Sequence, residues 1–129
     1  MEQIKRYMKY LSLLLLTLVS CYTDVKNIEI KGQILDSQLK RPVSHSSITI
    51  ICWSYGNTPD GSYTKQDSLN VTSDSDGNYR GDFEKGAYIE IKTSAKDYLD
   101  NHQAFDVTTS KNHINIYMEK KKIEDPISR

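Results

Sequence analysis

The residue types most often used in catalysis and metal binding do not form known motifs in this chain. It has three histidines, His45, His102 and His113. None of them begins the His-x-x-Glu spacing of a zinc peptidase, and the serines include no Gly-x-Ser-x-Gly nucleophile. Cys52 stands two residues after Ile50, an alternation that predicts a buried, unreactive thiol. We expect a protein that is not an enzyme; the alternative is a hydrolase whose site assembles in space around His45 or His102.

The acidic segment at residues 74–77 invites a metal interpretation. In a helix-loop-helix calcium site, acids occupy loop positions 1, 3, 5 and 12 around a glycine at position 6. With Gly77 at position 6, Thr72 falls at position 1 and Phe83 at position 12, and neither supplies a carboxylate. An Asp-Gly pair is instead typical of a hairpin turn, because glycine tolerates positive φ and aspartate bonds its own backbone. We expect a turn here, with no metal site and no cofactor.

The beginning of the chain has the pattern of an export signal. Three basic residues, Lys5, Arg6 and Lys9, precede an apolar stretch at residues 11–19. This stretch is too short for a helix that spans a bilayer core of about 30 Å. The sequence therefore predicts a segment that is removed on export.

Cys21 ends that segment, after Leu18, Val19 and the small Ser20. The arrangement resembles the lipobox of bacterial lipoproteins, in which the cysteine thiol is diacylglycerated and becomes the N-terminus after cleavage. The resemblance implies that residues 1–20 are a signal peptide and that lipid on Cys21 holds the protein at the cell envelope. Tyr22 replaces the aspartate associated with inner-membrane retention, so we favour the outer membrane. The alternative is an ordinary secretory signal with an incidental cysteine.

Charge excludes one class of partner. The 129 residues include 17 basic and 17 acidic side chains, and removal of residues 1–20 would leave a net charge of −2. Because nucleic-acid-binding domains usually carry a strongly basic face, we do not expect nucleic acid as a partner. The remaining length suits one domain. With Cys21 acylated, Cys52 has no cysteine left for an intramolecular disulfide.

Apolar residues recur with period two in seven short segments. They are Ile28, Ile30 and Ile34; Ile48, Ile50 and Cys52; Leu69 and Val71; Tyr79 and Phe83; Ile89 and Ile91; Phe105 and Val107; and Ile114, Ile116 and Met118. This alternation predicts an all-β fold, a single seven-stranded antiparallel Greek-key β-sandwich. We assign residues 21–27 to a lipidated tether, 28–118 to the sandwich and 119–129 to a flexible tail. Gly32, on the inward face, predicts close approach of another strand or an aromatic ring.

Several stretches occur in a characteristic order. They are residues 30–36, 41–43 and 47–50, the Asp-x-x-Gly turn with Tyr79 at residues 72–79, and residues 86–91 with the aromatic end at 96–98. Together they resemble carboxypeptidase regulatory-like domains over roughly residues 28–118. The resemblance implies a transthyretin-like (prealbumin-like) sandwich.

An aromatic patch is the strongest candidate for function. If Cys52 faces the core, Ile51, Trp53 and Tyr55 face the other way, beside a long loop at residues 54–67 that contains Tyr63. Exposed aromatic surfaces favour protein partners or sugar rings. We expect a lipid-anchored envelope protein that serves in protein interaction or assembly. The alternatives are carbohydrate binding by the same patch, or a loop that folds over the strand and buries it.

Overall fold

The computed structural model of the protein describes residues 3–8, 22–56 and 59–122. Residues 3–8 form a helix, and the other two ranges form strands joined by turns and loops. Within these ranges no helix has the length and hydrophobicity needed to cross a membrane. The predicted lipobox, Cys21 included, lies outside the described residues, as do residues 123–129 of the predicted tail.

In the described part of the chain, eight strands form two sheets that pack face to face. They are β1 (Val25–Asp36), β2 (Ser47–Ser54), β3 (Lys65–Thr72), β4 (Asn78–Gly86), β5 (Tyr88–Ser94), β6 (Asn101–Asp106), β7 (Lys111–His113) and β8 (Ile116–Met118). In the first sheet β1 pairs with β4 antiparallel and with β7 and then β8 parallel. The second sheet has the order β3-β2-β5-β6, with every neighbour antiparallel. The fold is therefore an all-β sandwich, as the alternation predicts.

One core lies between the two sheets. Its buried apolar side chains are Ile28, Ile30, Ile34, Val43, Ile48, Ile50, Cys52, Tyr79, Phe83, Ile89, Ile91, Val107, Ile116 and Met118. Full burial of one such aliphatic side chain contributes about 1.5–3 kcal/mol. Cys52 is buried and free, so the described sandwich depends on packing rather than on a disulfide.

The prediction of seven antiparallel strands is wrong, because residues 111–118 form two short strands, β7 just before the last apolar segment and β8 within it, and both run parallel to β1. The interruption lies opposite Gly32, where a β-carbon would overlap the carbonyl oxygen of Ile114. That oxygen accepts a hydrogen bond from the Tyr79 hydroxyl at 2.6 Å. The side chain of Asn115 then accepts the Gln33 backbone N–H at 3.1 Å. The close approach expected at Gly32 is confirmed, and it explains why the segment is divided.

The turn at residues 73–77 joins the two sheets, so the expected hairpin is wrong. Strand β3 before it pairs with β2, whereas β4 after it pairs with β1. The Asp74 carboxylate accepts the backbone N–H groups of Asp76 and Asn78, each at 2.9 Å, and Gly77 has a φ of 76°. The turn chemistry is as expected, but alternation specifies the buried face of a strand and not its partner. Among the described residues no cluster of three or more His, Cys, Asp or Glu could hold a metal ion.

Both ends of the sandwich extend beyond the predicted residues 28–118. Strand β1 begins at Val25, which pairs with Gly86, so residues 25–27 belong to the sheet rather than to a tether. At the other end, Leu99 N–H donates to the Glu119 carbonyl at 2.8 Å and Lys121 N–H donates to the Asp97 carbonyl at 2.9 Å. The first residues assigned to the tail are therefore held by backbone hydrogen bonds.

Candidate binding surface

Strand β2 places the predicted patch on the outer face of the second sheet. Ile50 and Cys52 are buried, whereas Ile51 and Trp53 alternate with them and are partly exposed. Tyr55 follows directly after the strand and is also partly exposed. The orientation inferred from alternation is thus the one that the strand adopts.

Five aromatic side chains form a continuous aromatic cluster at this end of β2: Tyr22, Trp53, Tyr55, Tyr63 and Tyr88. Tyr63 is at its centre, with its ring centroid 4.9 Å from that of Tyr55 and 5.8 Å from that of Tyr88, both stacked. Trp53 lies 6.3 Å from Tyr63, and Tyr22 lies 5.4 Å from Tyr55. Aromatic pairs at such separations contribute about 0.5–1.5 kcal/mol beyond area burial.

The loop after β2 folds back and carries Tyr63 onto the strand. Thr64 makes this return, since its N–H donates to the Ser54 carbonyl at 2.9 Å and its hydroxyl to the Tyr55 carbonyl at 2.8 Å. The side chains cover one another only in part, because Tyr63 stays 40% exposed and Tyr22 44% exposed. The loop therefore covers the strand and still leaves an aromatic surface in contact with solvent.

The segment before β1 is docked onto the same surface. The Asp24 carboxylate accepts the backbone N–H of Tyr55 at 2.8 Å and that of Gly56 at 3.1 Å. Tyr22 lies against Gly61, where an added β-carbon would be 2.8 Å from the tyrosine ring. Gly61 also has a φ of 75°, a conformation that glycine adopts at little cost. Residues 22 and 24 are therefore packed against the aromatic cluster and do not form a free spacer.

A polar edge borders the aromatic cluster. Trp53 donates its indole N–H to Glu90 Oε1 at 3.1 Å, and Glu90 Oε2 lies 3.3 Å from His102 Nε2. Glu90 stands directly opposite Ile51 in the pairing of β2 with β5. The indole N–H is thus paired with a carboxylate, while the indole ring lies tilted by 42° against the ring of Tyr63.

Burial among the other rings also changes the acidity of the tyrosine at the centre. Partial desolvation and a hydrogen bond with Tyr55 raise the pKa of Tyr63 to about 12. Its hydroxyl is therefore neutral at physiological pH.

On the core side of β2, burial raises the pKa of Cys52 to about 11, with a further contribution from the charges of Asp67 and Asp24. That thiol is therefore protonated at physiological pH.

The structure brings together Trp53, Tyr55 and Tyr63, places Ile51 on the same face, and adds residues that sequence reasoning missed. Tyr88 stands opposite Trp53 across the pairing with β5, so a signal for it exists only once the register is known. Of the three histidines, His102 alone borders the cluster among the described contacts, through Glu90. His45 lies in the loop before β2, His102 in β6 and His113 in β7.

Comparison with known proteins places the fold but no family. No family model and no curated relative matches this sequence. Catechol 1,2-dioxygenase from Acinetobacter radioresistens superposes with a TM-score of 0.59 at 11% identity, over 81% of this chain and 55% of that one. Chlorocatechol 1,2-dioxygenase from Pseudomonas putida gives 0.56 at 13%, over 74% and 61%. The chain thus spans little more than half of each similar structure, and at such identity the likeness shows the fold alone.

These similar structures contradict the expectation that the chain is not an enzyme. Their proteins are dioxygenases, so an enzyme can have this sandwich fold. The expectation depended on missing local motifs, and a site whose residues come from different strands leaves no such motif in a sequence. The likeness assigns no reaction to this chain.

Proposed function

We propose that the protein is a lipid-anchored component of the bacterial cell envelope whose sandwich binds an envelope protein partner. Its anchor is a diacylglyceryl group on Cys21, and the outer membrane is the favoured location. The fold is of the transthyretin-like type with Greek-key connections, as in carboxypeptidase regulatory-like domains. The lipobox at residues 18–21 supports the anchor, and the order of the stretches at residues 30–98 supports the fold type.

The aromatic cluster, together with Ile51, is the observation that carries partner binding. Interface centres are rich in Trp and Tyr, which combine a large apolar area with a polar atom. Here Ile51, Trp53 and Tyr55 are partly exposed on the outer face of β2 and directly after it, although Cys52 between them is buried. The hydrophobic core between the two sheets does not include these rings. Packing of the core therefore does not explain why aromatic side chains are exposed at this position.

Site-specific photo-crosslinking tests this proposal. A photoreactive amino acid at Ile51 should yield a discrete adduct in intact cells, and Trp53→Ala in the same chain should weaken it. The matched control is the same amino acid at Lys31, which is 58% exposed on the outer face of the other sheet. Identical adducts from both positions, or no adduct from Ile51, would show that the patch does not bind the partner.

Saccharide binding by the same surface is the second candidate. It is favoured by the exposed ring of Tyr63 and by the Glu90 carboxylate, which accepts the indole N–H of the neighbouring Trp53, since sugars combine ring stacking with hydrogen bonds to hydroxyl groups. Trp53 is the single tryptophan of the chain, so its fluorescence reports on this surface. Titration with a panel of envelope glycans should change that fluorescence in the wild type and not in Tyr63→Ser. Unchanged emission across the panel would exclude this candidate.

A further inference from the structure

The aromatic cluster lies at the point where the proposed anchor enters the sandwich. Tyr22 directly follows Cys21 in the sequence, and consecutive α-carbons are about 3.8 Å apart. The Tyr22 ring packs on Tyr55 and against Gly61. Acyl chains on Cys21 therefore begin one residue away from the cluster.

The segment that connects the proposed anchor to the sandwich is very short. Only residues 22–24 lie between Cys21 and the start of β1, and three extended residues span at most about 11 Å. Asp24 is fixed in addition by the backbone N–H groups of Tyr55 and Gly56. The sandwich cannot swing away from the bilayer unless these contacts break.

The chemistry of the exposed side chains suits the boundary between lipid and water. Tyrosine and tryptophan concentrate there because their rings are apolar while the hydroxyl or indole N–H stays hydrated. Tyr22 and Tyr63 are the most exposed members of the cluster, at 44% and 40%, and both lie at the end of the sandwich where β2 ends and the proposed anchor enters. We propose that Tyr22 and Tyr63 insert into the interfacial layer of the membrane that carries the Cys21 anchor, an inference that rests on the proposed lipidation.

This contact gives the sandwich one orientation. Strand β1 has 12 residues and runs from the cluster to Asp36, a length of about 40 Å at 3.3 Å per residue. Lys120 pairs with Tyr98, and the Tyr98 hydroxyl donates to Asp36, so this end of the sandwich lies far from the bilayer. Ile51 and the outer face of β2 stand at the side, where they meet a partner that lies in or on the same membrane.

Quenching of Trp53 fluorescence by spin-labelled lipid tests the proposal. The full chain is produced in bacteria, so that the anchor is attached, and reconstituted into phosphatidylcholine vesicles with or without headgroup spin labels. Since Trp53 lies 6.3 Å from Tyr63, the label should lower its fluorescence about twofold. The double variant Tyr22→Ser with Tyr63→Ser should show clearly less quenching, with the Cys21 anchor still in place, and Tyr63→Phe should keep the wild-type quenching.

Tyr117→Ser is the matched control. Tyr117 is 45% exposed and pairs with Leu35 near the other end of β1, so its loss should leave the quenching unchanged. Wild-type protein that floats with the vesicles but shows no quenching would overturn the membrane contact and leave the anchor intact. Protein that does not float, and whose mass shows no acyl group, would overturn the proposed lipidation and this inference with it.

Discussion

Replacement of Gly32 by alanine should strongly destabilise the sandwich. The added β-carbon would overlap the backbone oxygen of Ile114, which cannot move without shifting the junction between β7 and β8. Three hydrogen bonds depend on that junction. Ile114 N–H donates to the Lys31 carbonyl at 2.8 Å, Tyr79 hydroxyl to the Ile114 carbonyl at 2.6 Å, and Gln33 N–H to Asn115 Oδ1 at 3.1 Å.

The expected magnitude follows from those three bonds. At about 1 kcal/mol each, their loss lowers the free energy of unfolding by about 3 kcal/mol. For a domain of this size, each kcal/mol shifts the melting temperature by about 4–8 °C, so Tm should fall by about 12–24 °C. Gly81→Ala is the matched control on β4. Its β-carbon would meet only the ends of the Ile50 and Leu69 side chains, at 2.9 and 3.2 Å, and these can move.

Urea denaturation of both variants provides the assay. Gly81→Ala should cost about 1 kcal/mol or less, because flexible side chains adjust and alanine restricts the unfolded chain. Equal losses in the two variants would refute the assignment of Gly32 as the position that admits the Ile114 carbonyl. A Gly32→Ala protein as stable as the wild type would refute it as well.

Three further predictions concern acid stability, the docked tyrosine and the buried thiol. Hydrogen bonds from the Leu39 backbone N–H and the Tyr98 hydroxyl lower the pKa of Asp36, so they stabilise the fold at pH values above the unfolded-state pKa of about 3.9, and this stability is lost as pH falls through the folded-state pKa. In urea titrations from pH 7 to pH 2, Asp36→Asn should therefore be less stable than the wild type at pH 7 and should lose less stability on acidification. Parallel curves of stability against pH for the two proteins would contradict this. Gly61→Ala should displace the Tyr22 ring and move its NMR ring-proton shifts toward those of free tyrosine, whereas unchanged shifts would show that the ring does not pack there. In Cys21→Ser protein at pH 8, a thiol reagent should modify Cys52 slowly when the chain is folded and rapidly in urea, because burial raises its pKa to about 11; rapid reaction of the folded chain would place the thiol at the surface.

Alternation predicts most of the sandwich because a half-buried strand needs one apolar face. Ile30, Ile50 and Ile91 are therefore correctly placed in the core from sequence alone. The same rule does not specify which strands pair with each other, so it led to the wrong predictions of a hairpin at Gly77 and an antiparallel last strand. The division of the last strand into β7 and β8 depends on the space above Gly32, which only the assembled sheets define.

The binding surface divides in the same way. Ile51, Trp53 and Tyr55 follow from the phase of β2, and Tyr63 from its neighbouring loop. Tyr22 could not be inferred, because its contact with Tyr55 joins residues 33 positions apart in the chain and no local pattern marks it. Tyr88 required the register of β5 against β2.

The mass of the intact protein isolated from bacterial membranes tests the central proposal most directly. The lipid-anchored account predicts a chain that begins at Cys21, lacks residues 1–20 and carries the added mass of a diacylglyceryl group, and it predicts that Cys21→Ser abolishes both changes. A wild-type chain with an unmodified Cys21, or one that carries no lipid after removal of its signal, would contradict it.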